Sequence, residues 1–280
     1  MDMNWKFTFR NIGIASLLIL ITACSNNATN TPTMESTQTQ EPAITETSSA
    51  SETPVSPTSS MPAAGTGLCA NAYYPVREGA TWTYQSSGGP VGGYGFTDTI
   101  TSVREDGFTL TSQFDKLTRT QEWACRPEGL AALQLGGTSA ATLNSDEMQV
   151  SLDVSNVSGI TFAASIMPGD QWSHALEFTG SLTVAGQEID ATGNAQSNFS
   201  AVGVESITVP AGTFDTLKIR VDTIINISGI FNGVSFPVTV TSPYDYWFVQ
   251  GVGWVKASGT GSVGGESFTE TIELQSYNIP

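Results

Sequence analysis

The stretch Ala201-Val-Gly-Val-Glu-Ser-Ile-Thr-Val-Pro-Ala-Gly-Thr-Phe-Asp-Thr-Leu-Lys-Ile-Arg-Val-Asp222 decides the fold. Two alternating β-type runs flank Pro210-Ala211-Gly212. Pro in the second place of a turn and Gly in the fourth suit a type I turn, because Pro presets φ near about −65° and Gly relieves crowding at the exit. Beyond the turn, Leu217, Ile219 and Val221 point one way and Lys218, Arg220 and Asp222 the other. That is the pattern of a half-buried antiparallel strand. The rest of the chain is expected to be a sheet built around this hairpin.

Reading outward, the same period continues. Trp82 and Tyr84 open a strand after the Gly79 turn, and a second runs from Phe96 to Val103. Asp106-Gly107 is a hairpin signal, followed by Phe108, Leu110 and Ser112. Leu117 to Cys125 alternates and ends in Arg126-Pro127-Glu128-Gly129, with the same Pro and Gly placement as the 210–212 turn. Leu130 to Leu135 reads as the returning strand, although its Ala and Leu content also permits a short helix. Gly79-Ala-Thr-Trp82 recurs 90 residues later as Gly169-Asp-Gln-Trp172. Chance repetition and two related halves are both open readings. Trp172, His174, Leu176 and Phe178 then share a face, as do Ile189, Ala191, Ala195 and Phe199. Pro237 marks its strand as an edge, and Tyr244–Val249, Gly253–Ser258 and Phe268–Tyr277 complete the sheet. The expected fold class is mostly β with little helix, and strands at short regular spacing suggest a sandwich or a curled, barrel-like sheet.

Only residues 67–280 are expected to form this β domain. Residues 1–23 read as an export signal, with Lys6 and Arg10 before an apolar run from Ile12 to Ile21. That run is too short to span a bilayer as a mature helix. Ile21-Thr22-Ala23-Cys24 resembles the bacterial lipobox, in which the Cys becomes the new N-terminus and carries acyl chains; an ordinary signal peptide with a chance Cys is the alternative. Residues 24–66 are then the lipidated Cys and a Ser/Thr/Pro-rich tether with no aromatic, Lys or Arg. Such a segment buries too little apolar surface to offset its ordering entropy. Removing residues 1–23 takes away Asp2, Lys6 and Arg10 and leaves 8 basic and 25 acidic side chains, a net charge of −17. Such a surface repels nucleic acid and anionic headgroups. The expected partner is a membrane, reached through acyl chains on Cys24.

Of the three cysteines, Cys24 is assigned to lipid. Export places Cys69 and Cys125 in an oxidising setting, where a disulfide is the expected state. Two free thiols are the alternative, and the absence of CxxC with a single His argues against metal. That His, His174, sits between Trp172 and Leu176 on an apolar face and reads as a buried neutral ring. No G-x-S-x-G is present, and Asn144-Ser-Asp-Glu147 reads as a solvated loop before it reads as a Ca²⁺ site. No catalytic residue, metal or cofactor is therefore expected. The aromatics remain. Trp82, Trp172, Phe178 and Trp247 are the candidate ligand-binding set, with plain core as the competing reading.

Three segments resemble a known pattern. Tyr74-Pro-Val-Arg-Glu-Gly-Ala-Thr-Trp-Thr-Tyr84, Val209-Pro-Ala-Gly-Thr-Phe214 and Tyr246-Trp-Phe-Val-Gln-Gly-Val-Gly-Trp-Val-Lys256 occur in that order. Together they resemble a family of uncharacterised exported bacterial proteins and lipoproteins, similar in fold to the LolA-type lipoprotein carriers. The resemblance implies a single strongly curved antiparallel sheet or half-open barrel around an apolar concavity, and motifs that serve backbone geometry. It implies a lipid-anchored envelope protein that binds an apolar ligand or lipid. The alternative is a structural or protein-binding envelope module with a filled core.

Overall fold

The computed structural model describes residues 67–89, 92–115, 117–135, 148–184, 187–231, 234–263 and 266–280. Cys24, the export signal, the tether and the Asn144–Glu147 loop lie outside the described residues. A single 3-10 turn, Gly67–Cys69, precedes β1 (Thr81–Gly88), β2 (Gly95–Val103), β3 (Gly107–Phe114), β4 (Thr118–Arg126) and β5 (Gly129–Ala132). Next are β6 (Met148–Gly159) and the two-residue β7 (Phe162–Ala163). The long strands β8 (Gln171–Val184), β9 (Gln187–Val209), β10 (Gly212–Phe231) and β11 (Val234–Val249) follow. Finally come β12 (Gly253–Val263) and β13 (Glu266–Asn278). All pair antiparallel in one sheet of order β6-β8-β9-β10-β11-β12-β13-β1-β2-β3-β4-β5-β7. The segment after Gly129, open to strand or helix in the sequence, is strand, because Leu130 pairs with both Cys125 and Phe162.

The order of the strands shows why this sheet must curl. β6 and β7 are its opposite ends, yet only Ile160 and Thr161 separate them in the chain. Gly159 and Phe162 are three residue steps apart in the chain, a reach of no more than about 11 Å, and the two edges meet there. Backbone hydrogen bonds fix the meeting: Thr161 N–H donates to Leu130 O at 2.8 Å and Ile160 N–H to Ser173 O at 3.0 Å. The ladder does not close, and the result is a half-open barrel.

The turns follow from the Pro and Gly placements. Val209 pairs with Gly212 across Pro210-Ala211, and Arg126 with Gly129 across Pro127-Glu128. Both glycines adopt φ 142°, a value unfavourable to residues with a Cβ. The repeated G-x-x-W segments are structurally alike. Gly79 N–H donates to Ile100 O and Gly169 N–H to Ala201 O, and the same two further bonds link Ala80 to Arg77 and Ile100, and Asp170 to Met167 and Ala201. In each copy the Trp indole then donates to a backbone carbonyl: Trp82 to Val252 at 2.6 Å and Trp172 to Thr161 at 3.1 Å. Trp82 thereby ties the opening segment to the Gly251–Gly253 turn, whose Gly251 N–H also donates to Ala72 O. The 72–84 and 246–256 segments are thus held against one another by these contacts.

The inward face carries the main core, from Ile100, Phe108 and Leu130 to Leu217, Ile219, Val255, Ile272 and Leu274, all at most 1% exposed. The outward face of the central hairpin carries charge, as its alternation requires. Lys218 pairs with Asp245 at 3.0 Å and Arg220 with the same carboxylate at 3.4 Å. The far halves of β8 to β11 bury a second, smaller cluster around Phe178, Ile189, Ile225 and Ile227. Pro237 lies on an edge only locally, because β12 pairs with β11 from Thr241 to Val249 and not with the 234–240 segment.

Candidate functional site

The concave side encloses a cavity of about 200 Å³. Its walls come from both ends of the sheet, and cross-strand register places them in rows. On one wall Asp98 of β2 lies opposite Ser112 of β3, which lies opposite Arg119 of β4. This polar row is bordered by the stacked pair Phe96 and Phe114, with ring centroids 5.1 Å apart, and by Ile100, Leu110 and Gln121. The other wall repeats the banding. Trp172, Phe199, Val221 and Tyr244 form an apolar row across β8 to β11, His174, Ser197, Thr223 and Ser242 a polar one, and Leu176, Ala195 and Ile225 a second apolar one. A period-2 strand would ordinarily send such polar residues outward. These are in phase with core residues and so face in.

Each polar group has a definable state. Asp98 is 8% exposed. Burial pushes its carboxyl up to about 6, while a hydrogen bond from Ser112 and the Arg119 charge oppose the rise. Its Oδ1 is buried with no hydrogen-bond donor from the described residues. Burial lowers the Arg119 pKa against the opposing charge of Asp98, and the guanidinium lies 5.9 Å over the Phe114 ring. It also donates to Ser112 Oγ at 3.4 Å. Burial holds His174 below its ordinary value, which makes a neutral ring the form at pH 7. Its Nε2 lies 2.9 Å from Ala132 O, a bond that spans the gap between β8 and β5. Ser197 and Thr223 hydroxyls are 2.9 Å apart. On the inward side of β13, in phase with Ile272 and Leu274, the fully buried Glu270 accepts from Ser86 and from the cavity-lining Tyr244, both at 2.6 Å.

Of the four aromatics singled out in the sequence, the structure brings Trp172 to the cavity wall, stacked on Phe199 at 5.3 Å. The other three lie elsewhere, each for a physical reason. Trp82 is turned to the Gly251–Gly253 turn by its indole bond. Phe178 packs in the second cluster, its ring seated on Gly193 of the next strand. Trp247 is opposite in phase to Tyr246 and Phe248 and lies on the outer face, under Lys218 at 4.9 Å and Lys256 at 5.9 Å, with its indole donating to Glu205. Asp98 and Arg119 were missed. The available signal was their phase: Asp98 alternates with Phe96 and Ile100, and Arg119 with Gln121, Trp123 and Cys125.

Cys69 and Cys125 form a disulfide with Cα atoms 4.9 Å apart. It ties the 3-10 turn to the end of β4, next to the cavity wall that holds Trp123.

No protein-family model matches the chain, and no curated protein sequence matches it. Solved structures do. A candidate exported protein with a YmcC-like fold from Bacteroides fragilis matches with a TM-score of 0.44 and 12% identity, over 75% of this chain and 100% of its own. A candidate lipoprotein from Parabacteroides distasonis matches with a TM-score of 0.42 and 17% identity, over 74% and 99%. The hypothetical lipoprotein YmcC from Escherichia coli matches with a TM-score of 0.31 and 11% identity, over 72% and 85%.

Proposed function

We propose that this chain is an extracytoplasmic cell-envelope protein, anchored by acyl chains on Cys24, that binds a small apolar ligand inside its curled sheet. The reading is of a binding protein, not an enzyme. One observation carries the ligand part: a cavity of about 200 Å³ walled by aromatic and aliphatic side chains with a few inward polar groups. Ligand sites are commonly built this way, with apolar walls for affinity and sparse polar groups for orientation. The volume is below the range of about 300–1,000 Å³ common for drug-sized ligands. A space of that size suits one short acyl chain or ring system and not a whole diacyl lipid. The anchor part is supported by the charged start, apolar run and Ile21-Thr22-Ala23-Cys24.

The test is titration with a fluorescent short-chain acyl probe. Saturable binding that a non-fluorescent acyl chain displaces, and that Ala195→Phe abolishes by filling the cavity, is the expected result. Absence of saturable binding would favour the structural or protein-binding module instead.

A further inference from the structure

We propose that the row Asp98–Ser112–Arg119 is a head-group subsite, and that the ligand of the cavity is an uncharged apolar molecule ending in a hydroxyl. The inference rests on the cavity reading above and adds the ligand's chemical class.

The reasoning starts from charge. Asp98 and Arg119 line the same cavity from β2 and β4, each opposite Ser112. As a carboxylate and a guanidinium they sum to zero. An anionic head would leave one uncompensated negative charge beside them, and a cationic head one positive charge. Either is expensive away from water. A hydroxyl adds no charge and offers both a donor and an acceptor. Its donor matches Asp98 Oδ1, the buried acceptor that no described protein group satisfies. A buried acceptor of that kind is an exception in native structures and calls for a partner. Its acceptor side matches the guanidinium, which has five N–H donors in a fixed fork.

The rest of the cavity agrees. The polar row on the opposite wall is made of Ser197, Thr223, Ser242 and His174, with no carboxylate or cationic side chain. Burial keeps the His174 ring neutral. The rest of the lining is aromatic or aliphatic, apart from the amides Gln121 and Gln134, the Thr161 hydroxyl and the phenols of Tyr74, Tyr94, Tyr244 and Tyr246, none of which carries a charge at pH 7. Asp98 and Arg119 are thus the charged side chains of the cavity lining, and their row sets the position of the ligand's polar end.

The test uses the full chain held in amphipol and four probes of equal size. n-Octanol and heptyl methyl ether are isomers that differ in whether the oxygen carries a donor, and octanoate and octylammonium carry the two charges. Binding is read by calorimetry or by displacement of a fluorescent probe. n-Octanol is expected to bind at least about tenfold more tightly than the ether, the size of effect that one unpaired buried polar group produces. Octanoate and octylammonium should bind no more tightly than the ether. Asp98→Ala should bring the alcohol-to-ether ratio to about one while leaving ether affinity within a few-fold, a readout that a purely structural role for Asp98 would not move. Equal binding of alcohol and ether by the unsubstituted protein overturns the subsite and leaves the apolar cavity standing, and this arm needs no variant to fold. Preferred binding of octanoate or octylammonium overturns the uncharged class. Failure of all four probes rejects the cavity reading itself.

Discussion

Asp98 is the residue at which fold and site make opposing demands. Its folded carboxyl titrates at about 6, raised from 3.8 by burial. Between those values the folded state holds a proton that the unfolded state has lost. Stability therefore falls as pH rises from about 4 to 6, and the penalty is complete above that. Asp98→Asn keeps the shape without the charge. It is expected to raise unfolding free energy at pH 7 by up to about 3 kcal/mol, the equivalent of the shift, and to flatten the slope between pH 4 and 6. Denaturant unfolding at a series of pH values measures both, and an unchanged slope would show that Asp98 is not its source. Cys69 and Cys125 give a second prediction at this scale. They are 56 residues apart in sequence, and closing such a loop stabilises a domain by about 2–4 kcal/mol. Reduction, or Cys69→Ser, should lower the melting temperature by several degrees. Mass spectrometry without reductant should recover the two peptides linked.

At the scale of elements, identical turns sit in unlike surroundings. Gly129 and Gly212 share the Pro-x-Gly hairpin and the same φ of 142°. A Cβ on Gly212 would meet only the Phe214 ring, at 3.4 Å, whereas one on Gly129 would overlap the Phe162 carbonyl of β7. The backbone strain of an L-residue there costs about 1–3 kcal/mol in both cases. Gly212→Ala should therefore lose about that much. Gly129→Ala should lose clearly more and should also loosen the contact between the sheet's ends. Equal losses in chemical denaturation would mean that β7 can yield without cost. Glycine and aromatic side chains also pair across strands: the Phe178 ring covers Gly193, and the Tyr244 ring covers Gly259. Such pairs let large rings lie flat on the inner surface of a curving sheet.

For the whole molecule, the prediction concerns attachment. If acyl chains on Cys24 are the anchor, Cys24→Ser should release the protein from membranes into the soluble fraction after a high-salt wash. Retention of that variant would point to a different anchor. Residues 67–280 carry 8 basic and 21 acidic side chains, a net charge of −13 that repels anionic headgroups. Among the described residues no helix is long and apolar enough to cross a bilayer.

Local rules settled much of this protein before any tertiary contact was considered. Alternation along 201–222 determined that the chain forms antiparallel strands, and Pro210 and Gly212, like Pro127 and Gly129, determined where it turns. These are properties of φ, ψ and a two-residue period, and a single strand carries them. The G-x-x-W recurrence was visible as well, and its shared hydrogen bonds became evident only with the strands in place. The cavity could not be read the same way. Its walls join β2–β4 to β8–β11, and that juxtaposition depends on β6 and β7 being neighbours in sequence but opposite ends of the sheet. Which aromatics face the cavity was decided by phase together with curvature. Trp247 is one residue out of step with Tyr246 and Phe248, and Trp82 is drawn away by the carbonyl of Val252. The pairing of Asp98 with Arg119 across Ser112 required the register of three strands, and register is a tertiary quantity: no single strand contains it.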